Sequence, residues 1–469
     1  MHAVSLTGTR AAGPLGYHSW ALFEWARNPY VILVTIYIFA PYFTTTVAGN
    51  PVEGQSMLGF TNTVSGFIIA ITAPFLGAIA DRRGRRKPWI ATFVGIMVPC
   101  AFLLGWSLPG GAGIGVTTTL ILMVIVSIAF EYSAVFHNAM LPSVAPVTKV
   151  GAISGYALAY GNIAGLLLMV FVLYAFAWPG HTDFSFIPDQ PLFGIDQSTS
   201  EDDRIVAPLA AVWMLLFTLP LLLFTPDGRD SSNSVREAVR EGLTAGVATL
   251  RRLSHYRNVA LYLLSRMLFN DGMVGVLIFG GVYAAGTFDW DTTTMLLFCI
   301  ISSFSAAIGA VLGGYVDDRL GSRKALLLAI GGTAGLLAFA VTIQPDSILF
   351  IPLETTGPVW NSPYFATLPE LVFFINNQFF AMFITVGFAA SRTMMARIAP
   401  PTMMTQFFGL YALSGTATAF LAPFLVGTFT RYFDSQRAGY SSLIILLTIG
   451  FVMLFAVREE QAVAHEDTA

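Results

Sequence analysis

The stretch Gly77-Ala78-Ile79-Ala80-Asp81-Arg82-Arg83-Gly84-Arg85-Arg86-Lys87 reads G-x-x-x-D-R-x-G-x-R-K. Gly314-Tyr315-Val316-Asp317-Asp318-Arg319-Leu320-Gly321-Ser322-Arg323-Lys324 reads the same way. The chain has 469 residues, so the second copy follows the first by half its length. Each follows one apolar run and precedes the next. A basic loop repeated at the same place in two halves predicts an internally duplicated bundle of membrane helices.

Composition agrees. The chain is 55% hydrophobic and 11% charged, whereas soluble domains carry about 25% charged residues. Apolar runs of about 20 residues recur along it, each long enough to cross a bilayer core of about 30 Å. Runs this long and without alternation are helices rather than barrel strands. The net charge of -3 gives no nucleic-acid signal, because the basic residues sit in short loops. Cys100 and Cys299 both fall inside apolar runs and read as small core residues, not a disulfide or a metal site. The stretch before Ser19 lacks an apolar signal-peptide core, so the first span is expected to be an uncleaved anchor.

Twelve helices are predicted, near 19–46, 56–80, 88–107, 116–141, 150–178, 207–225, 258–285, 292–316, 325–343, 367–398, 403–430 and 438–457. The fold class is thus an all-α membrane protein with two six-helix halves. The halves are residues 1–226 and 258–457, with a connector at 227–257 and a tail at 458–469. With the N-terminus inside, seventeen Lys and Arg fall on the cytoplasmic side and three (Arg204, Arg431 and Arg437) on the other. That bias predicts both termini in the cytoplasm, of a bacterial inner membrane. The loop 179–206 is acidic (Asp183, Asp189, Asp196, Glu201, Asp202 and Asp203) and reads as solvated. In the connector, Ser234 and Glu237 form a capping-box pattern. Val235, Val239, Leu243, Val247, Leu250 and Leu253 then recur at helical spacing. An amphipathic helix on the inner membrane surface, tethering the halves, is expected there.

Ionisable residues inside spans are few and ordered. Helix 1 holds Glu24 and Arg27, helix 4 holds Glu131 and His137, helix 7 holds Arg266 and Asp271, and helix 10 holds Arg392. Such a side chain at the bilayer centre costs at least about 2.5–3.5 kcal/mol, so it faces a wet cavity or a partner. The charged helices are the first and fourth of each half, a distribution that a polar cavity explains and a lipid-facing scaffold does not. Asp271 lies near mid-membrane, with Arg266 about 140° round the helix. It is a candidate to bind a coupling proton or a substrate ammonium; the competing role is a structural ion pair. Glu131 is a second candidate, or the partner of an arginine. Glu24, Arg27 and Asn28 share a face at i, i+3 and i+4, for an inner gate, a substrate contact or local pairing. His137 suits proton handling or polar packing. Arg392 and Arg266 are candidates for Glu24, Glu131 or a substrate carboxylate, and Asn270 for a hydrogen bond.

Six helices, a connector and six more, with the basic signature between helices 2–3 and 8–9, resemble the major facilitator superfamily over nearly the whole chain. A finer resemblance starts at Ser19-Trp20-Ala21-Leu22-Phe23-Glu24-Trp25-Ala26-Arg27-Asn28-Pro29-Tyr30. It continues through Asn138-Ala139-Met140-Leu141-Pro142, Gly155 to Gly161, Asp271-Gly272, Ser391-Arg392-Thr393 and Phe407 to Tyr411. These are similar to the vacuolar amino-acid effluxer-like branch. Glu24 stands where that branch usually has Asp, Arg27 where it has Asn, and Gln406 and Thr416 where it often has Glu and Lys. The resemblance implies alternating access with the binding site near the midplane. It also implies that Asp81, with Gly77, Arg82, Gly84 and Arg86, latches the inner side against the start of helix 11. Asp318, with Gly314, Arg319, Gly321 and Arg323, would do so at the start of helix 5. Setting topology alone is the competing role for these loops.

The function expected is a secondary transporter, working as a monomer on a small polar solute, with amino acids the family-based choice and protons the coupling ion. Both signs of charge suit a zwitterion, and they suit proton coupling equally. A permease for peptides, sugars or drugs, and a transporter-fold receptor or scaffold without flux, stay open. No Walker loop, zinc helix or nucleophile elbow appears, so no enzyme, cofactor or metal is expected.

Overall fold

A computed structural model describes residues 4–5, 10–82, 85–146, 150–180, 187–228, 256–354, 357–399 and 404–459. The side chains at 73–75, 77–82, 142, 150–152, 154, 155, 314, 318, 396, 404–406, 408, 409 and 412 lie outside that set. So does 229–255, where the amphipathic connector helix was expected.

Twelve helices, one of them in two segments, occur among the described residues. The first half carries α1 (Pro14–Val47), α2 (Pro51–Arg82), α3 (Lys87–Leu103), α4 (Val116–Val144), α5 (Val150–Val172) and α6 (Val206–Phe224). The second half carries α7 (Arg257–Phe288), α8 (Thr292–Leu320), α9 (Ser322–Ala340) and α10 (Leu368–Ile398). There follow α11, in two segments (Met404–Thr416 and Leu421–Phe433), and α12 (Leu443–Phe455). Among the described residues, eleven stretches are both long and apolar enough to cross a membrane, those at α11 and α12 being Leu413–Phe433 and Gln436–Phe455. Their outer faces carry exposed Leu158, Leu167, Leu216, Ile308 and Val311, as spans bordered by lipid do. A two-residue ladder, Ser347–Ile348 with Ile351–Pro352, interrupts the all-helical pattern in one loop.

The duplication seen in the sequence recurs in the packing. In the first half α1 packs on α5 and α6, and α3 on α4 and α6. In the second half α7 packs on α11 and α12, and α9 on α10 and α12. The chain divides into two compact units, 1–50 with 67–246 and 51–66 with 247–469. The opening of α2, from Pro51 to Gly66, thus packs with the second unit.

Two departures from regular helix were not expected. In α1, residues Tyr30–Tyr37 and Phe43–Val47 are π-helical. Pro29 starts the first of these; it has no N–H, so the carbonyl of Trp25 loses its usual partner. The Trp213 indole, from α6, donates to that carbonyl at 2.9 Å. Second, α11 is not one helix over 403–430, since residues 417–420 break it. The acidic loop keeps Asp189 and Asp196 exposed, as expected of a solvated loop, and is also tied down. Glu201–Arg204 form a helical turn with Asp202 buried, and Gln197 Nε2 donates to the Phe176 carbonyl at 2.7 Å.

Candidate functional site

In the first unit, α1 and α4 meet through a reciprocal pair. The Trp20 indole donates to the His137 carbonyl at 2.9 Å, and His137 Nε2 lies 2.9 Å from the Trp20 carbonyl. The rings stack with centroids 4.4 Å apart. A carbonyl can only accept, so His137 Nε2 bears the hydrogen. That leaves Nδ1 facing Glu24 Oε1 at 3.6 Å. Arg27 reaches the same carboxylate oxygen at 3.6 Å, and its guanidinium lies 3.9 Å from the centre of the Phe130 ring, a cation–π contact. Glu131, half-buried, has Arg27 and Glu24 as the charges acting on it. Asn28 Nδ2 donates weakly to Asn162 Oδ1 at 3.4 Å. The shared face of Glu24, Arg27 and Asn28 therefore exists, and α4 adds His137 and Glu131 to it.

In the second unit, Asp271 is 5% exposed. Its Oδ2 accepts from the Ala422 amide at 3.0 Å. Ala422 is the second residue of the segment Leu421–Phe433, so its N–H has no carbonyl one turn back. The break in α11 is thus capped by a carboxylate from α7. Thr418 Oγ1 adds a second tie to α7, donating to the Met267 carbonyl at 3.1 Å. Asp271 Oδ1 carries no hydrogen bond among the described residues. A carboxylate beside a helix N-terminus is stabilised by the dipole, and its free oxygen can take a proton or an ammonium.

Arg266 does not meet a carboxylate among the described residues. Its Nη1 donates to the Tyr411 carbonyl at 2.7 Å and to Ser414 Oγ at 2.6 Å. The guanidinium stacks 3.6 Å from the Tyr411 ring centre. It fastens α7 to the first segment of α11, which is a packing role. Nearby, the Tyr262 hydroxyl donates to the Ser391 carbonyl at 2.5 Å, tying α7 to α10. Arg392 is exposed and forms no ion pair among the described residues, so the expected pairing with Glu24 or Glu131 is not seen. Asn270 is half-buried and makes no hydrogen bond among them.

The repeated loops are braced by two residues the sequence reading missed. The Asp227 carboxylate accepts from the amides of Arg86 at 2.9 Å and Lys87 at 3.1 Å, where α3 begins. The Glu459 carboxylate accepts from the amides of Ser322 at 3.0 Å and Arg323 at 3.1 Å, where α9 begins. Each brace comes from just beyond the last helix of its half, so the two are counterparts in the repeat. Lys87 Nζ donates to the Leu222 carbonyl at 3.0 Å, and Arg323 Nε to that of Leu454 at 3.4 Å. Leu222 precedes Asp227 by the same interval as Leu454 precedes Glu459. Arg397 extends the second brace, to Glu459 at 2.6 Å and to Asp317 at 3.2 Å. Gly321 has φ +84, and a Cβ there would meet Glu459 Oε2 at 2.8 Å. Arg319 is exposed. Residue Gly84, the surroundings of Gly77 and Gly314, and the side chains of Asp81, Arg82 and Asp318 and of the first residues of α5 and α11 lie outside the described set. So does the latch assigned to them. The missed signal was the carboxylate in Thr225-Pro226-Asp227 and Val457-Arg458-Glu459, at matching places after α6 and α12.

Burial opposes ionisation of Glu459. Hydrogen bonds from the Arg323 amide, from Arg397 and from the Ser322 amide outweigh it and hold the carboxyl below its ordinary 4.5. A depressed value means the brace stabilises fully above the ordinary value and fades as pH falls through the lower one. Glu459→Gln is expected to cost about 1 kcal/mol at pH 7, discounted for solvent screening of the exposed Arg397. In a thermal melt the gap from wild type should close as the pH is lowered below 4.5.

At the opposite ends of the helices, residues 51–66 are keyed into the second unit. Gln55, fully buried, donates to Thr430 Oγ1 at 2.7 Å and to the Gln436 carbonyl at 3.0 Å. Gln436 Nε2 donates to the Pro51 carbonyl at 2.8 Å, and Ser56 Oγ to that of Gly427 at 3.1 Å. A Cβ on Gly59 would meet Gly427 Cα at 2.6 Å, so the two backbones touch because neither residue has a side chain.

Comparison with known proteins agrees with this architecture. Residues 42–467 match the family model described as vacuole effluxer Atg22 like. The chain is 24% identical over 450 residues to the uncharacterized MFS-type transporter YxiO of Bacillus subtilis (strain 168), spanning 94% of this chain and 95% of that protein. It is 24% identical over 265 residues to autophagy-related protein 22 of Cryptococcus neoformans var. neoformans serotype D, spanning 55% of this chain and 44% of that one. A solved D-xylose-proton symporter aligns with a TM-score of 0.65 at 14% identity, over 95% of this chain and 98% of the other. That likeness concerns the fold alone. With two six-helix halves, a duplicated basic loop and a family match running over nearly its whole length, this chain belongs to the Atg22-like effluxer family of MFS-type transporters.

Proposed function

We propose that this transporter moves an amino acid by alternating access, coupled to protons. The observation that carries the reading is one charged cluster and one buried carboxylate within the apolar spans. One is Glu24–Arg27–His137 on α1 and α4. The other is Asp271 on α7, with one oxygen free. A zwitterion needs both an anionic and a cationic partner, and both kinds are present. His137 Nδ1 and Glu24 Oε1 face each other at 3.6 Å, so the pair holds one proton between them once the gap closes to hydrogen-bond distance. The machine works as two halves joined by the 227–257 connector, with both termini in the cytoplasm of a bacterial inner membrane and as a monomer. Amino-acid transport also accords with the effluxer family.

The test is flux in proteoliposomes loaded with a mixture of radiolabelled amino acids, with and without an imposed pH gradient. Gradient-stimulated release of at least one amino acid is expected. Release that ignores the gradient removes the coupling. Silence with every amino acid, while a sugar or nucleoside mixture moves, removes the substrate class. Ligand-induced thermal stabilisation with no flux of any solute supports a receptor instead. Glu24→Gln should flatten the pH dependence of release by removing one member of the proton-holding pair, and an unchanged pH profile in that variant would exclude Glu24 from coupling.

A further inference from the structure

The first unit contains a cavity of about 510 Å³ at the ends of α3, α5 and α6 that lie opposite the repeated loops. That volume is within the roughly 300–1,000 Å³ range of small-molecule sites. Phe102, Trp106, Phe171 and Phe193 supply much of its wall, and they are exposed, so the cavity opens sideways where lipid borders the helices. The tied-down loop forms its rim. Asp196 Oδ1 accepts from the Ser198 amide at 2.9 Å, Glu201 Oε2 from the Asp196 amide at 3.0 Å, and Gln197 holds the end of α5. These bonds carry Phe193, 84% exposed, beside the cavity mouth.

The polar groups of this otherwise apolar cavity are gathered at one end. Arg204 Nη2 lies 3.4 Å from Glu201 Oε1, and its Nη1 donates to the Gly105 carbonyl at 3.1 Å. Its Nε is buried and donates to nothing among the described residues. Nε itself is closed off, so the donor capacity of Arg204 for an acceptor in the cavity rests on the second N–H of Nη1 and of Nη2. The Trp106 indole N–H, likewise without a hydrogen bond among them, lies on the same wall. Glu201 and the exposed Asp196 set negative charge beside this cation.

We infer that this cavity binds one phospholipid with a phosphate and a primary amine in its headgroup, drawn from the leaflet opposite the repeated loops. The acyl chain lies along the aromatic wall, where apolar burial drives binding. The phosphate takes donors from Arg204 and Trp106, and the ammonium faces Glu201 and Asp196. The charge pattern selects the lipid. A purely anionic headgroup meets the acidic rim, and a quaternary amine cannot donate hydrogen bonds to the carboxylates.

The test compares thermal midpoints of the full chain in detergent with added phosphatidylethanolamine, phosphatidylcholine or phosphatidylglycerol. Phosphatidylethanolamine should raise the midpoint by about 2–4 °C more than either of the others. Val212→Trp fills the cavity from an exposed position on α6 and should abolish that difference. Arg204→Gln should shrink it if the protein folds. Three results would overturn the assignment: equal shifts with all three lipids, a larger shift with phosphatidylglycerol, or an undiminished preference in Val212→Trp.

Discussion

Asp271→Asn will lower proton-driven flux by about 100-fold while leaving the fold nearly as stable as before, whereas Asp271→Ala will lose both. The two substitutions separate charge from shape. Asparagine keeps a side-chain oxygen where Oδ2 accepts from the Ala422 amide, so the start of Leu421–Phe433 stays capped. It removes the negative charge and the oxygen that is free for a proton or an ammonium. A hydrogen bond to a charged group contributes up to about 3 kcal/mol, which is about two decades in an equilibrium constant. Alanine leaves the Ala422 N–H unpaired at the break in α11, and loss of such a cap costs about 1 kcal/mol. The expected pattern is therefore almost no flux in either variant, with a lowered thermal midpoint in the alanine variant alone. Wild-type flux and pH dependence in Asp271→Asn would reduce Asp271 to a helix cap.

The duplicated architecture was legible because it is written in strong local codes. The Gly-Asp-Arg-Gly-Arg-Lys positions repeat, and apolar runs of spanning length separate them. The cluster in the first unit was half legible. Glu24 and Arg27 share a face by spacing alone, and the spacing delivered their contact. His137 joined them only through helix packing, which no spacing within α4 encodes. Arg266 was legible as a buried charge but not as a packing residue, because its partners are the Tyr411 carbonyl and a serine. Backbone partners leave no trace in side-chain identity. The same reason hid Asp227 and Glu459, whose partners are amides at helix starts. The break in α11 had a visible signal in Pro423, which has no N–H for the Ala419 carbonyl, but the ties to Asp271 and Met267 that meet the break were not legible. The π-helical stretch of α1 had a visible cause in Pro29, whose missing N–H was legible, although the Trp213 indole that answers it was not.

Gly59→Leu will stop transport although the protein still folds, and Gly59→Ala will impair it by less. Residues 51–66 belong to the first six helices in sequence and pack with the second unit in space. The alternating access proposed above requires a solute path that opens on one side at a time, so packing of this kind is expected to form and come apart in each cycle. At its centre the backbones of Gly59 and Gly427 touch, and a single methyl on Gly59 already reaches Gly427 Cα at 2.6 Å. Backbone cannot yield as a flexible side chain can, so overpacking here costs roughly 1–3 kcal/mol for a small addition. A leucine exceeds what the interface can absorb and removes the packed arrangement from the ensemble. The bonds from Gln55 to Thr430 and from Gln436 to Pro51 separate with it. Thr430, fully buried when the packing is formed, then becomes reachable from water. In a Thr430→Cys background, a membrane-impermeant maleimide should label the Gly59→Leu protein several times faster than the protein that keeps Gly59. Removal of Gln55 as Gln55→Ala should act in the same direction more weakly, since one buried hydrogen-bond donor contributes about 1 kcal/mol. Undiminished flux in Gly59→Leu, or labelling that ignores it, would mean that this contact is static scaffolding, and the moving parts would then have to be sought elsewhere in the bundle.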